Sequence, residues 1–313
     1  DRYCSDGSFD VYDFRSEGER RTSDAADLSI QGKADWGGVQ HRFNAGVLAT
    51  RYSARFQRQA FNWVGTDTLA GNTAVPADPS LTDENTNRRE RSTEWHLQDA
   101  ITLSPKWSVW AGLRHSRLQR DSVRTDGSRA TAYAQSFTTP WLALSHALTP
   151  QGMAYLSWGQ GVESEVAPNR TRYSNAGQVL AALKSRQTEA GYKHAGAVMD
   201  WRVAAFDIQR PAWRDVGTCD NPGTCLRKAD GNAVHRGIEA EGDWRLGALN
   251  LRASAMLLSA RRQASADATL NGRRPTNVPA QSLKGQVAYN LTAVPGLALL
   301  GFITHEGNRM VLP

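Results

Sequence analysis

Two-residue alternation is the pattern that organises this chain. In Leu249–Leu257 the odd positions are Leu, Leu, Ala, Ala and Leu, and the even positions are Asn, Arg, Ser and Met. In Trp107–Arg114, the side chains of Trp107, Val109, Ala111 and Leu113 fall on one side. A period of two is the signature of a strand with unlike faces. Leu183–Pro211 reads as a long strand, a tight turn at Ala195-Gly196-Ala197 and a second long strand, although Ala204–Gln209 alternates poorly.

The same unit recurs. Arg21–Trp36 and Gln40–Phe56 join at Gly37-Gly38, a two-residue hairpin signal. Glu94–Leu103 pairs with Trp107–Arg120 through Pro105-Lys106, and Phe137–Leu148 with Met153–Val162 across Thr149–Gly152. Val234–Arg245 meets Leu249–Ala260 at Leu246-Gly247-Ala248, and Val278–Leu291 meets Leu297–Thr304 around Ala293–Gly296. The count is about twelve strands in six hairpins with short turns. The other connections are long: Gln57–Thr93, Asp121–Ser136, Glu163–Ala182, Ala212–Ala233 and Arg261–Asn277, with Asp1–Arg20 behaving as the end of another. An up-and-down meander with short turns at one end and long loops at the other is the plan of an outer-membrane barrel, whose apolar face meets lipid and whose polar face lines the lumen. A half-buried antiparallel sheet with water on its polar face shows the same alternation.

Composition keeps the barrel open. The hydrophobic fraction is 40% and the mean hydropathy −0.53. No apolar run reaches the length of a membrane-spanning helix, but barrel strands need only about ten residues of alternating polarity. Of the ten tryptophans, Trp36, Trp107, Trp158, Trp201 and Trp244 fall at or near expected strand ends, where an interfacial girdle sits; the core of a soluble barrel could also take them. With no linker or low-complexity break, residues 1–313 read as one domain. The start at Asp1-Arg2-Tyr3-Cys4 and the end at Met310–Pro313 read as cut from a longer protein.

The net charge is +6, from 37 basic and 31 acidic residues dispersed along the chain. That dispersal argues against nucleic acid, whose binders gather their basic residues on one element. Cys219 and Cys225 flank a turn-rich spacer and read as a disulfide closing a loop tip. Half a metal site is the alternative, but it lacks close Cys spacing and a nearby His pair. Cys4 is left over, with a partner expected upstream. Glu163 with Glu165, and Glu239 with Glu241, have the spacing that places both carboxylates on one strand face, but no His accompanies them. No phosphate loop, HExxH or nucleophile elbow occurs. Catalysis is not expected, and neither is a resident metal.

Several segments, in order, resemble the TonB-dependent siderophore receptors of bacterial outer membranes. They are Tyr12-Asp13-Phe14 with Gly18-Glu19-Arg20; Ser157–Glu163; Leu183–Lys193; Phe206-Asp207-Ile208 with Arg210-Pro211; Val234–Glu241; Asn271–Pro275; and Asn277-Val278-Pro279. The closest subgroup is the ferrichrome or hydroxamate type. The resemblance implies an antiparallel transmembrane β-barrel of about 22 strands. This chain would supply about twelve of them, central to late, with the plug domain and TonB box not visible in it. It implies uptake of a ferric siderophore across the outer membrane of a Gram-negative bacterium. Energy would come from the TonB-ExbB-ExbD complex through the plug, and the receptor would be a monomer surrounded by lipid and lipopolysaccharide. No cofactor is implied beyond the ferric cargo. Binding residues are expected on the long loops: Phe61, Trp63, Tyr173, Trp213 and Arg214. Arg114, Glu189 and Glu239 are expected as lumen wall. The rivals are a passive porin, an outer-membrane enzyme and a secreted β-structured adhesin.

Overall fold

The structure, a computed structural model, describes residue 4, residues 6–180 and residues 183–310. The terminal residues 1–3 and 311–313, and the end of the expected 163–182 loop, lie outside the described residues. Twelve long strands form one continuous sheet. They are β3 (Arg20–Trp36), β4 (Val39–Arg55), β7 (Thr86–Thr102), β8 (Trp107–Arg124), β9 (Thr131–Thr149), β10 (Gly152–Glu163), β11 (Leu183–Ala195), β12 (Met199–Gly217), β13 (Cys225–Leu246), β14 (Leu249–Gln263), β15 (Gln281–Asn290) and β16 (Ala298–Glu306). Each pairs antiparallel with its neighbours in chain order, the excursion between β4 and β7 apart. Four short strands lie outside the wall: β1 (Ser8–Tyr12) pairs with β6 (Trp63–Thr68), and β2 (Arg15–Ser16) with β5 (Gln59–Ala60). The six expected hairpins are all present, in the expected order.

The register assigns the two faces. One row crosses eight strands as Ile101, Val109, Leu144, Leu156, Ala190, Ala205, Ile238 and Leu257. On the opposite face a row runs Met153, Lys193, Arg202, Glu241, Ser254, Lys284 and Thr304. Leu97, Leu142, Leu156, Ile238 and Leu257 are each half or more exposed. A contiguous apolar band of this kind is untenable in water and fits lipid. The polar face is cross-linked: Arg114 Nε lies 3.0 Å from Glu94, Arg202 Nε 2.8 Å from Glu241, and Tyr155 Oη donates to Glu189 at 2.5 Å. Arg114, Glu189 and Glu239 therefore stand on the wall's polar side, as expected. Glycines on this face admit rings: a Cβ at Gly191 would sit 2.6 Å from Tyr155 Oη, and the Tyr155 ring fills that place instead.

The short-turn end carries the girdle. Trp36, Trp107, Trp201, Trp244 and Tyr289 all share the apolar face within a few residues of a turn. Trp107 packs on His146 with ring centroids 4.1 Å apart, and Trp201 on Tyr192 at 5.1 Å. Trp158 does not belong to it. It lies in the middle of β10, paired with Leu142 and Thr188 on the apolar face. At Gly37-Gly38 both φ values are positive, 62° and 79°, as a two-residue hairpin with right-handed strand twist requires. The turn after β11 is Gly196–Val198 and not Ala195–Ala197, because Ala195 still pairs with Asp200. Ala204–Gln209 is regular strand despite its weak alternation.

Two of the five expected long loops are largely strand: 121–136 leaves only residues 125–130 outside β8 and β9, and 212–233 leaves only residues 218–224 outside β12 and β13. Thr86–Thr93, expected in the first loop, belongs to β7. The reason is physical: beyond the bilayer both faces meet water, so strand residues there lose the apolar alternation that marks a strand in sequence.

Substituting Ala255 and Ser254, adjacent in β14 on opposite faces, tests the assignment. In the intact receptor, Ala255→Arg should cost about 2–4 kcal/mol, as a cation near the middle of the lipid face does. Ser254→Arg, beside Glu241 in the register, should leave the urea midpoint in vesicles nearly unchanged. Equal effects would invalidate the two faces.

Candidate functional site

At the end away from the short turns, three groups of side chains stand above the wall. The first is built where the 164–182 loop crosses the extended β12–β13 hairpin. Cys225 N–H donates to the Arg172 carbonyl at 2.9 Å and Ser174 N–H to the Cys225 carbonyl at 2.7 Å, a parallel bridge that lays the loop on the hairpin. Tyr173 is buried there, 3% exposed. Its hydroxyl donates to Asp215 at 2.7 Å and accepts from Arg227 at 3.2 Å. The Arg227 guanidinium lies 4.1 Å from the Trp213 ring centroid, forms two hydrogen bonds with Asp215 (2.8 and 3.0 Å) and reaches Glu165 at 2.9 Å. Asn175 closes the seam, donating to the Arg227 carbonyl at 2.7 Å. The hydrogen bond from Arg227, with a further one from Tyr173, holds the Asp215 carboxyl below the usual carboxylate range against the opposing effect of burial.

The second group lies on the other face of the same hairpin. A strand alternates, so Arg214 points away from Trp213 and Asp215. Its guanidinium lies 3.5 Å from Asp230 and 3.2 Å from Asp267, and Arg262 reaches Asp230 at 3.0 Å. Asp230 is 3% exposed; Ser265 Oγ donates to it at 2.6 Å and Ala266 N–H at 2.9 Å. Burial alone would raise this carboxyl; those hydrogen bonds and the two guanidinium charges outweigh it and hold it low. The irregular register between Pro211 and Trp213 re-aims the hairpin for this double docking. Cys219 and Cys225 form the disulfide expected at its tip, and Cys4 is exposed and free.

The third group lies on the excursion between β4 and β7. Phe61 stacks on Tyr12 with ring centroids 4.9 Å apart and planes 9° from parallel. Trp63 donates its indole N–H to Asp10 at 3.1 Å. Asp13, 2% exposed, accepts from the Asn62 backbone N–H at 2.8 Å and its side-chain amide at 3.0 Å, fixing the loop between the two rings.

The five residues expected on loops therefore divide. Phe61 (51% exposed), Trp63 (60%) and Trp213 (38%) present ring surface to solvent. Tyr173 and Arg214 are spent on holding loops in place. Asp215, Arg227, Asp230 and Asn62 escaped the sequence reading, because they sit in segments that read as loop; the pairing of β12 with β13 as far as Gly217–Cys225 is the signal that finds the first three, and Asn62 is found only through its bonds to Asp13. The carboxylate pairs are neutralised. Glu239 and Glu241 share Arg202, 3.4 and 2.8 Å away. Glu163 and Glu165 do not share a strand face as expected: β10 ends at Glu163, which binds Arg210 at 2.7 Å, while Glu165 turns to Arg227.

A twelve-strand antiparallel meander with an apolar outer face, a salt-bridged inner face and built-up loops at one end defines a portion of a large transmembrane barrel wall. The family model "TonB dependent receptor-like, beta-barrel" matches residues 2–309, and the chain belongs to that family. It is 26% identical over 299 residues to the ferrichrome receptor FcuA of Yersinia enterocolitica, covering 90% of this chain and 38% of that protein. Its fold superposes on BauA, the ferric preacinetobactin receptor of Acinetobacter baumannii, with a TM-score of 0.78 at 20% identity, over 96% of this chain and 46% of that one. It also superposes on FpvA of P. aeruginosa bound to a heterologous pyoverdine with iron, with a TM-score of 0.76 at 16% identity, over 97% of this chain and 40% of that one. The chain thus spans less than half the length of these relatives.

Arg227→Ala should release the 164–182 loop. Amide exchange at Ser174 and Cys225 should rise at least tenfold, equivalent to about 1.4 kcal/mol, with the wall amides unchanged. The depressed Asp215 carboxyl sets the pH sign. Its contribution is complete above the ordinary carboxylate pKa of about 3.9 and is lost as pH falls through the lower folded value. The same amides should therefore stay protected at pH 5–7 and open only in stronger acid; opening already at pH 6 would contradict the ion-pair account.

Proposed function

We propose that the chain forms part of an outer-membrane receptor that captures a ferric siderophore and imports it with energy supplied through TonB. The observation that carries this reading is the combination of a family barrel wall with exposed aromatic rings on rigidly anchored loops at one end. A ferric chelate is too bulky for a narrow pore and needs a wide barrel whose lumen can be plugged. The rings of Phe61, Trp63 and Trp213 offer flat surfaces to its ligand groups. The relative named as a ferrichrome receptor favours a hydroxamate-type siderophore. Coupling would run from the TonB-ExbB-ExbD complex to a plug inside the lumen, with the receptor a monomer in lipid and lipopolysaccharide.

The loops would act as a rigid catching surface, because Tyr173, Arg214, Asp13 and Asn62 fix their bases and leave the rings little ordering entropy to lose. The polar wall lies below. Arg114, Glu94, Arg202 and Glu241 are mutually neutralised, which leaves a hydrated surface that does not trap a passing anion.

Iron-limited growth of a strain relying on the intact receptor should be restored by a ferric hydroxamate and abolished by deleting TonB. Replacing Phe61, Trp63 or Trp213 by Ala should weaken ferric siderophore binding about tenfold each, on the scale of an aromatic anchor worth 1–2 kcal/mol. Passive ion conductance with no siderophore-dependent growth would replace this reading by a porin.

A further inference from the structure

Three exposed rings share one side of the small β1–β6 sheet. In the register Tyr12 stands opposite Trp63, and Asp10 opposite Thr66. The Trp63 indole and the Thr66 hydroxyl both donate to the Asp10 carboxylate, at 3.1 and 3.2 Å, so these three side chains lie together. Asp10 and Tyr12 are two residues apart on β1, which puts the Tyr12 ring on the same side. Phe61 stacks on that ring. Other rings at the loop end already carry a cation: an arginine guanidinium stands 4.1–5.5 Å from the centre of each of Tyr52, Phe56, Tyr133, Tyr173 and Trp213. Among the described residues, no guanidinium or ammonium stands over Tyr12, Phe61 or Trp63.

The excursion that carries these rings is acidic. Residues 6–19 and 57–85 hold nine carboxylates and two arginines. Both arginines are spent: Arg15 on Glu17 and Asp78, and Arg58 on Glu84. Arg21 and Arg124 reach in from the wall to Glu19 and Asp83. Among the described residues, no cation lies within ion-pair distance of Asp10, Asp13 or Asp67. The donors that the structure gives these three are neutral: the Trp63 indole and Thr66 hydroxyl, the Asn62 amides, and the N–H groups of Thr68 and Thr73. A neutral donor stabilises a carboxylate without cancelling its charge. The bonds from Thr73, with one from Thr68, hold the Asp67 carboxyl below its usual range. The rings therefore stand in an uncompensated negative field, whereas the Trp213 ring has Arg227 against it.

We propose that Tyr12, Phe61, Trp63 and Asp10 form an open cage for an ammonium group carried by the ferric chelate, so that the receptor prefers a hydroxamate siderophore with a free amine. The face of an aromatic ring is the negative side of its quadrupole and attracts a cation. Asp10, bonded to the Trp63 indole, adds a full negative charge beside it. Three hydroxamates cancel the charge of ferric iron, so the net charge of such a chelate is set by what is appended to it. An appended amine is protonated at neutral pH and makes the chelate a cation. The acidic excursion then draws it towards the loops and repels an anionic chelate. This inference rests on the siderophore-receptor reading given above and names the kind of chelate that the same rings select.

The test titrates the intact receptor, purified in detergent, with three ferric complexes of one linear trihydroxamate. Its terminal amine is free in the first, acetylated in the second and succinylated in the third, which gives a cation, a neutral species and an anion around an identical iron centre. The free-amine form should bind about tenfold more tightly than the acetylated form, and the succinylated form more weakly still. Raising the salt to about 0.5 M should shrink these differences, a readout that needs no variant. Asp10→Asn keeps an acceptor for the Trp63 indole but removes the charge, and should bring the amine and acetyl forms within about twofold of each other. Asp10→Glu should keep part of the preference. Equal binding of the three forms, tighter binding of the succinylated form, a salt-insensitive preference, or the full preference in Asp10→Asn would overturn the cage and leave the receptor reading standing. Binding of none of the three would overturn the hydroxamate reading and the cage together.

Discussion

The structure depends on one constraint: in hydrocarbon no backbone N–H or C=O can go unpaired, so a sheet crossing a bilayer must continue from strand to strand without a break. The ladder meets it at every seam between β3 and β16. Each wall strand is hydrogen-bonded to the next in an antiparallel register whose recorded irregularities between wall strands fall at a turn, beside Gly152, and at the loop end, beside Pro211. Once the ladder is fixed, side-chain direction follows with a period of two, and a one-residue slip would send Glu241 and Arg202 into lipid. Side-chain identity then has to agree with direction on every strand, as the Ile101–Leu257 and Met153–Thr304 rows show.

That agreement made the fold legible in the sequence. The alternation in Leu249–Leu257, the Gly37-Gly38 turn and the repeated strand–turn–strand unit located all six hairpins. Strand ends were read poorly where the constraint lapses. Beyond the bilayer, water replaces lipid on the outer face, and residues such as Arg88-Arg89-Glu90-Arg91 can be strand without any apolar alternation. Trp158 was misplaced for the converse reason: an indole suits both an interface and a lipid-facing mid-strand position, and only its pairing with Leu142 and Thr188 decides.

The loop site was half legible. Aromatic residues in polar surroundings picked out Phe61, Trp63, Tyr173 and Trp213, but aromatic character does not distinguish a ring offered to a ligand from one that anchors a loop. Burial and hydrogen bonding do. Tyr173, with Asp215 and Arg227 on its hydroxyl, is an anchor, while Phe61, stacked on one face only, keeps its other face free. Arg214 and Trp213 are neighbours in sequence yet serve opposite faces of one hairpin, which no composition or motif reveals.

The same alternation also explains why an exposed charge means different things at different heights. On the inner face, charge meets water at every depth, and Arg114, Arg202 and Arg210 are balanced within the wall itself by Glu94, by Glu239 with Glu241, and by Glu163. On the outer face the belt is apolar, and arginines gather towards the loop end, where Arg236 meets Asp207 on the adjacent strand at 2.6 Å. Arg51 and Arg91 stand directly opposed at that end. Both are exposed, so water and salt screen a repulsion that would be costly deeper in the belt. Height in the bilayer, and not charge alone, therefore decides what an outward-facing arginine costs the wall.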